Sequence, residues 1–208
     1  VIPELRARSS KGSDKVEIDA RIHGRPRVGE TRSGDAGFVR RVDGVTWVLL
    51  VDALGHGPLA ADAAELALDE AGAFEAELSI DAGLRRLHTR LVHSRGAAAA
   101  LLRFEAGRVS LGGVGNVELR TLVGPALPYV PANGVLGHRV PRMRSTELEL
   151  SGTGRVLLFT DGIERCAPLR QLGSLDPDLL CQQLIAEHSH DRDDATVIHV
   201  SYSTQIER

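Results

Sequence analysis

Aromatic residues are scarce in this chain, at 3% of 208 residues with a single Trp. A core built from it must therefore rest on Val, Leu, Ile and Ala. Cysteine is scarcer still. Cys166 and Cys181 form no CxxC pair and lie near no His-rich spacing, which excludes a zinc-finger framework and argues against a catalytic thiol. Both read as reduced thiols, as expected of a cytoplasmic protein. No apolar run reaches the roughly 18 residues of a membrane helix. The Val1–Lys11 stretch has no apolar segment of the kind a signal peptide needs. The net charge of −3 comes without a long like-charge block, so neither nucleic acid nor a membrane surface is an expected partner. The remaining composition, 42% apolar and 25% charged, is that of a globular chain, and its length predicts one domain over 1–208.

Hydrophobic periodicity lays out the elements. Val16 to His23 alternates apolar and polar, the period of a half-buried strand. Ala36 to Arg41 is a second strand, and Asp43-Gly44 is the turn of a hairpin into Val45–Val51, whose nearly unbroken apolar run suits a strand buried on both faces. Pro58 opens a helix predicted over Ala60–Glu77, because proline's missing N–H costs nothing in a first helical turn. A second helix is predicted from Asp81 to His93, with Leu84, Leu87, Leu91 and Val92 inward and Ser79 or Asp81 as cap. Strands follow at Ala97–Phe104, Arg108–Leu111, Val117–Val123, Thr146–Leu150 and Arg155–Thr160, then a helix at Pro177–Glu187 and a last strand at Ala195–Ser201. Two neighbouring helices followed by many short strands argue against regular βαβ units. They favour α+β, with antiparallel sheets and helices outside.

Aspartates mark the strand ends. Ser33-Gly34-Asp35 leads into a strand; Asp52-Ala53-Leu54-Gly55-His56-Gly57 leaves one through a Gly-rich turn; Thr160-Asp161-Gly162-Ile163 repeats that event; Asp193-Asp194-Ala195-Thr196 starts the last strand. Each motif alone is ordinary, since Asp-Gly is usually just a turn. Together they place several carboxylates at the edges of buried strands, where they repel one another and favour protonation. A hard divalent cation relieves that conflict, because Mg²⁺ and Mn²⁺ prefer oxygen ligands. Two such ions can share and acidify a water and neutralise a phosphoryl oxygen.

In this order the four motifs resemble those of the metal-dependent protein phosphatases, and the bacterial SpoIIE-type branch in particular. Arg95-Gly96-Ala97 entering a strand and Val114-Gly115-Asn116-Val117 between two strands are similar to stand-alone members of that branch. The resemblance runs from about Gly34 to Val200. It implies an α-β-β-α sandwich of two antiparallel sheets flanked by helices, with two divalent cations, Mn²⁺ or Mg²⁺, at one edge. It implies that Asp52 bridges both ions, that Ala53 donates a backbone carbonyl where the family commonly has Gly, and that Asp161 and Asp193 hold one ion while Asp35 approaches the other. Asp194 falls where a direct ligand is not expected. His56 is the candidate general acid for the leaving alkoxide, its alternative being a solvent-facing turn residue. In the eukaryotic branch an N-terminal arginine grips phosphate, and Arg32 stands near that place.

The implied activity is hydrolysis of phosphoserine or phosphothreonine on a protein, a STAS-domain regulator of a bacterial partner-switching pathway being the substrate class. Loop Gly124–Gly137 and segment Arg139–Arg144, with Arg139, Arg142 and Arg144, are candidates for docking it; a plain solvated loop is the alternative. A haloacid-dehalogenase-like phosphatase is disfavoured, because Asp161 is followed by Gly162 and Ile163 with no second Asp two residues on. A catalytically silent binding module of the same fold and a phosphoesterase for non-protein substrates remain open.

Overall fold

The computed structural model describes residues 15–140 and 142–205. The Val1–Lys11 stretch and Pro141 of the arginine-bearing segment lie outside the described residues. Among the described residues, nine strands and four helices follow one another as β1 (Lys15–Arg25), β2 (Asp35–Val42), β3 (Val45–Ala53), α1 (Pro58–Gly72), α2 (Ile80–Arg90), β4 (Ala97–Glu105), β5 (Arg108–Val114), β6 (Glu118–Val123), β7 (Ser145–Glu149), β8 (Thr153–Phe159), α3 (Leu169–Leu172), α4 (Pro177–Glu187) and β9 (Ala195–Gln205). They build one sheet in the order β1-β9-β8-β6 and another in the order β2-β3-β4-β5-β7, antiparallel at every strand pairing. This is the expected α-β-β-α sandwich.

Period-two alternation explains the layers. Along β3, Val45, Trp47, Leu49 and Val51 face α1 and α2, while Val48 and Leu50 face the other sheet. Along β9, Ile198, Val200 and Tyr202 meet Val48, Leu50, Ala98, Ala100 and Leu102 between the sheets, while Ala195 and Val197 turn outward to Leu180, Cys181 and Leu184 of α4. A strand buried on both faces is nearly all apolar, as β3 is from Trp47 to Val51. The few aromatics sit where bulk is needed. Trp47 meets Phe74 edge-on, with ring centroids 5.2 Å apart, beneath the helices. Elsewhere small residues let layers approach, and Ala60, Ala63, Ala64, Ala67 and Ala71 form the buried face of α1.

Two local expectations need correction, and one short element went unread. The first helix stops at Gly72, well short of Glu77, because the chain turns at Ala73 to insert Phe74 beside Trp47. Val92 is exposed, because α2 ends at Arg90 and His93 takes a left-handed conformation that breaks the helical face. The one-turn helix α3 was too short to show a period. Ser79 does cap α2, accepting the Ala82 N–H, and Asp176 caps α4 by accepting from Asp178 and Leu179.

Leu50 is fully buried in the inter-sheet layer, opposite Gly37 on β2 and Ala100 on β4. With no large neighbour on either strand to collapse into the space, Leu50→Ala is expected to cost about 2–5 kcal/mol. Urea unfolding would measure this, and a negligible change would mean that the two sheets do not pack closely there.

Candidate functional site

The inner-face alternation that buries Val48 and Leu50 carries on to Asp52, the penultimate residue of β3. On β2 the same face runs from Val39 through Gly37 to Asp35. Asp35 and Asp52 are register partners, so the backbone places two carboxylates opposite one another on the face that looks toward the second sheet. Like charges in that position repel. The second sheet supplies more of the same sign. Asp161 leaves the end of β8, where the Thr160 N–H donates to the Thr196 carbonyl at 3.1 Å, and Asp193 and Asp194 lead into β9. The Thr160 hydroxyl donates to Asp35 Oδ2 at 2.6 Å and so joins the two sheets at this edge. The sequence-predicted aspartates are thus brought to one junction.

Their mutual repulsion is legible in their proton affinities. Asp35, only 8% exposed, is raised well above the carboxylate range by burial first and by Asp52 second, against the pull of the Thr160 bond. Asp52 is pushed up to about 7 by burial, then by Asp161, Asp193 and Asp194. Asp161 is raised by burial and Asp193, and Arg165 and the Asn116 amide, which donates to its Oδ2 at 2.7 Å, hold it back.

Asp194 has a different task. Its Oδ1 accepts the Arg27 N–H and its Oδ2 the Gly34 N–H, both at 2.7 Å, and it is 2% exposed. It pins the β1–β2 loop to the start of β9 and thereby sets where Asp35 enters its strand. Gly162 has a comparable purpose, since a Cβ there would lie 1.8 Å from the Asp194 carbonyl oxygen. Ala53 donates its N–H to the Gly34 carbonyl at 3.0 Å and pairs with Ala97 of β4. The turn that follows needs positive φ at Gly55 and Gly57.

His56 and Arg32 come out differently from the aspartates. The His56 ring is part-exposed, with Nδ1 at 3.0 Å from Glu30 Oε1 and Nε2 against Arg27 Nη1. Arginine can only donate, so Nε2 accepts and the ring proton points to Glu30. Arg32 turns to α1, pairing with Asp62 and Glu65 at 2.8 Å each, and does not face the carboxylates as a free cation. Sequence reasoning missed the parts played by Thr160, Asn116 and Arg165. Asn116 was visible as part of a strand-to-strand turn, but its contact with Asp161 spans 45 residues and leaves no local trace. Asn116, Glu118, Arg120, Tyr129 and Arg165 line an open cleft of about 290 Å³ beside Asp161.

Among the described residues, as the side chains stand, no group of three or more His, Cys, Asp or Glu is gathered closely enough to hold a metal ion. The arrangement is an open carboxylate edge, and such an edge suits a hard cation that keeps much of its water, as Mg²⁺ does.

Asp52 fixes the pH behaviour. Its folded-state pKa lies above its ordinary value of 3.8, so its contribution to stability is present below that value and is lost as pH rises towards about 7. Without divalent cations at about pH 8, Asp52→Asn is therefore expected to melt higher than wild type. Each kcal/mol recovered should be worth roughly 2–4 °C in a chain of this size. The two should converge near pH 4, where both side chains are uncharged. A variant that melts lower at pH 8 would contradict the reading.

No protein-family model and no curated protein matches the sequence. Solved structures do. The chain is similar to one described in work on the bacterial stressosome, a modular system adapted to control secondary messenger signaling, with 29% identity and a TM-score of 0.81 over 88% of this chain and 99% of that one. RsbX in complex with magnesium matches at 20% identity and a TM-score of 0.78, covering 91% and 100% of the two chains. The PP2C phosphatase domain of SpoIIE from Bacillus subtilis, in a structure that includes a regulatory fragment, matches at 14% identity and 0.74, covering 94% and 66%. Its fold is thus the one seen in RsbX and in the PP2C phosphatase domain of SpoIIE.

Proposed function

We propose that this chain is a metal-dependent phosphoprotein phosphatase, acting on phosphoserine or phosphothreonine of a STAS-domain or similar regulator in a bacterial partner-switching pathway. The observation that carries the reading is the junction of Asp35, Asp52, Asp161 and Asp193, four carboxylates from both sheets with three of them driven towards protonation. The donor set fits hard divalent cations, because every donor is oxygen, and Arg165 offsets the charge of Asp161. On this reading Asp35, Asp52, Asp161, Asp193 and the Ala53 carbonyl would hold two divalent cations, with Asp52 shared between them. Bound there, Mn²⁺ or Mg²⁺ would acidify a water and neutralise phosphoryl oxygens.

The protein's own contribution is rigid placement. Thr160 orients Asp35, Asn116 orients Asp161, and Asp194 fixes the loop from which Asp35 emerges. His56 is the proposed proton donor to the departing serine or threonine oxygen, and to act its Nε2 must leave Arg27 and take up a proton before it meets the substrate.

An open edge with a modest cleft favours a side chain presented on a folded protein over a free metabolite. The docking loop is tied to the site, since Leu136 and Ala97 exchange both backbone hydrogen bonds and Ala97 pairs with Ala53. From Leu119 to Thr146 there is no acidic residue, and Arg139, Arg142 and Arg144 are exposed without ion pairs to described residues. That stretch complements an acidic phosphoprotein surface.

Phosphate release from a phosphorylated STAS protein, its phosphopeptide and a small aryl phosphate is the direct assay. Activity should require added Mn²⁺ or Mg²⁺, disappear with a chelator and be largely lost in Asp52→Asn. A trapped covalent phosphoenzyme or a fully active Asp52→Asn would refute the mechanism. His56→Ala should slow turnover roughly 10²–10⁴-fold if the ring is the acid, and an unchanged rate assigns that proton to water. Neutralising Arg139, Arg142 and Arg144 should erase the preference for the folded substrate and leave aryl phosphate turnover intact. Equal rates on domain and peptide in the unaltered protein would remove the docking surface.

A further inference from the structure

A phosphate monoester brings its own negative charge to an edge already rich in carboxylates, so a cation of the protein near that edge has an obvious use. Most arginines around the site are committed. Arg25 donates to Ser189, the Pro26 carbonyl and the Asp193 carbonyl; Arg27 meets His56; Arg32 is neutralised by Asp62 and Glu65; Arg165 lies 3.3 Å from Glu118. Arg95 is exposed, and its guanidinium has no ion pair or hydrogen bond to any described residue. Its Nη1 stands 3.4 Å from where a Cβ on Gly55 would be, over the turn that follows Asp52.

The backbone of Arg95 is as constrained as its head is free. The adjoining Gly96 carbonyl accepts the Leu54 N–H at 3.0 Å, which stitches this segment onto the same turn. The Arg95 carbonyl accepts from His138 Nε2 at 3.0 Å, and the Gly96 N–H donates to Ser94 Oγ at 3.0 Å. A long cation held at its root, unpaired at its tip and leaning over the site's own turn is pre-organised for an anion, and a guanidinium matches the geometry of two phosphoryl oxygens.

We infer that Arg95 forms an anion subsite that grips the phosphoryl oxygens of the substrate and of the released inorganic phosphate. This deepens the phosphatase reading and rests on it for the identity of the anion. Its guanidinium stands over the Gly55 turn, whereas Arg165 acts on Asp161.

The test is inhibition of aryl phosphate hydrolysis by inorganic phosphate, together with calorimetric titration of inorganic phosphate into the Mg²⁺-supplemented protein. Arg95→Ala should raise the inhibition constant and KM about tenfold to a hundredfold, the value of a charge-assisted hydrogen bond. Arg95→Lys should recover part of the loss through charge without the two-pronged geometry. Melting points should be unchanged, because the guanidinium holds nothing in the fold. Arg85→Ala, an exposed arginine on α2, should behave as wild type. Unaltered phosphate inhibition and KM in Arg95→Ala would overturn the subsite while leaving the phosphatase reading intact. A wild-type protein that binds phosphate through Arg95 yet hydrolyses nothing would keep the subsite and sink catalysis. One that does neither would sink both.

Discussion

Everything at the working edge depends on holding like charges together against their repulsion. Asp35 and Asp52 face each other because antiparallel register leaves them no alternative, and the second sheet adds Asp161 and Asp193 to the same junction. Side chains alone would not choose this arrangement. It is imposed by strands whose apolar residues are locked into a core on either side, so the core's stability is spent in keeping the carboxylates apart from water and close to one another. The result is an edge that binds protons more tightly than carboxylates normally do.

The core that imposes this is unusual in being poor in aromatics. Its layers are closed by alternation of Leu, Ile and Val with many alanines, and the alanine face of α1 lets that helix sit close to β2 and β3. Close approach has a consequence at the site. Gly34, which lends an N–H to Asp194 and a carbonyl to Ala53, sits directly against Ala60 of α1. The helix layer therefore backs the very loop that delivers Asp35, and the small residues on both sides leave that loop little room to shift.

Charge is divided between two regions of the surface. Carboxylates gather at the sheet junction, whereas the stretch from Leu119 to Thr146 carries arginines and no acid. The two are joined through Leu136, Ala97 and Ala53, a short backbone path across neighbouring strands. A near-neutral chain thus presents a strongly acidic edge beside a basic rim.

The sequence by itself determined the elements and the identity of the carboxylates. Period-two alternation located the strands, Pro58 the start of the first helix, and the repeated strand-Asp-Gly pattern the aspartates of the junction, because these signals are written in residues close together along the chain. It misjudged the end of the first helix and the exposure of Val92, where a long-range contact between Phe74 and Trp47 and a left-handed His93 override local periodicity. Only the tertiary structure decided which polar residues serve the aspartates. Thr160 reaches Asp35 across 125 residues, Asp194 reaches Gly34 across 160, and Arg32 is spent on α1 whereas Arg95 is left free. A single side-chain hydrogen bond imposes no periodicity on the sequence around it, so its partner appears only when the two sheets are brought face to face.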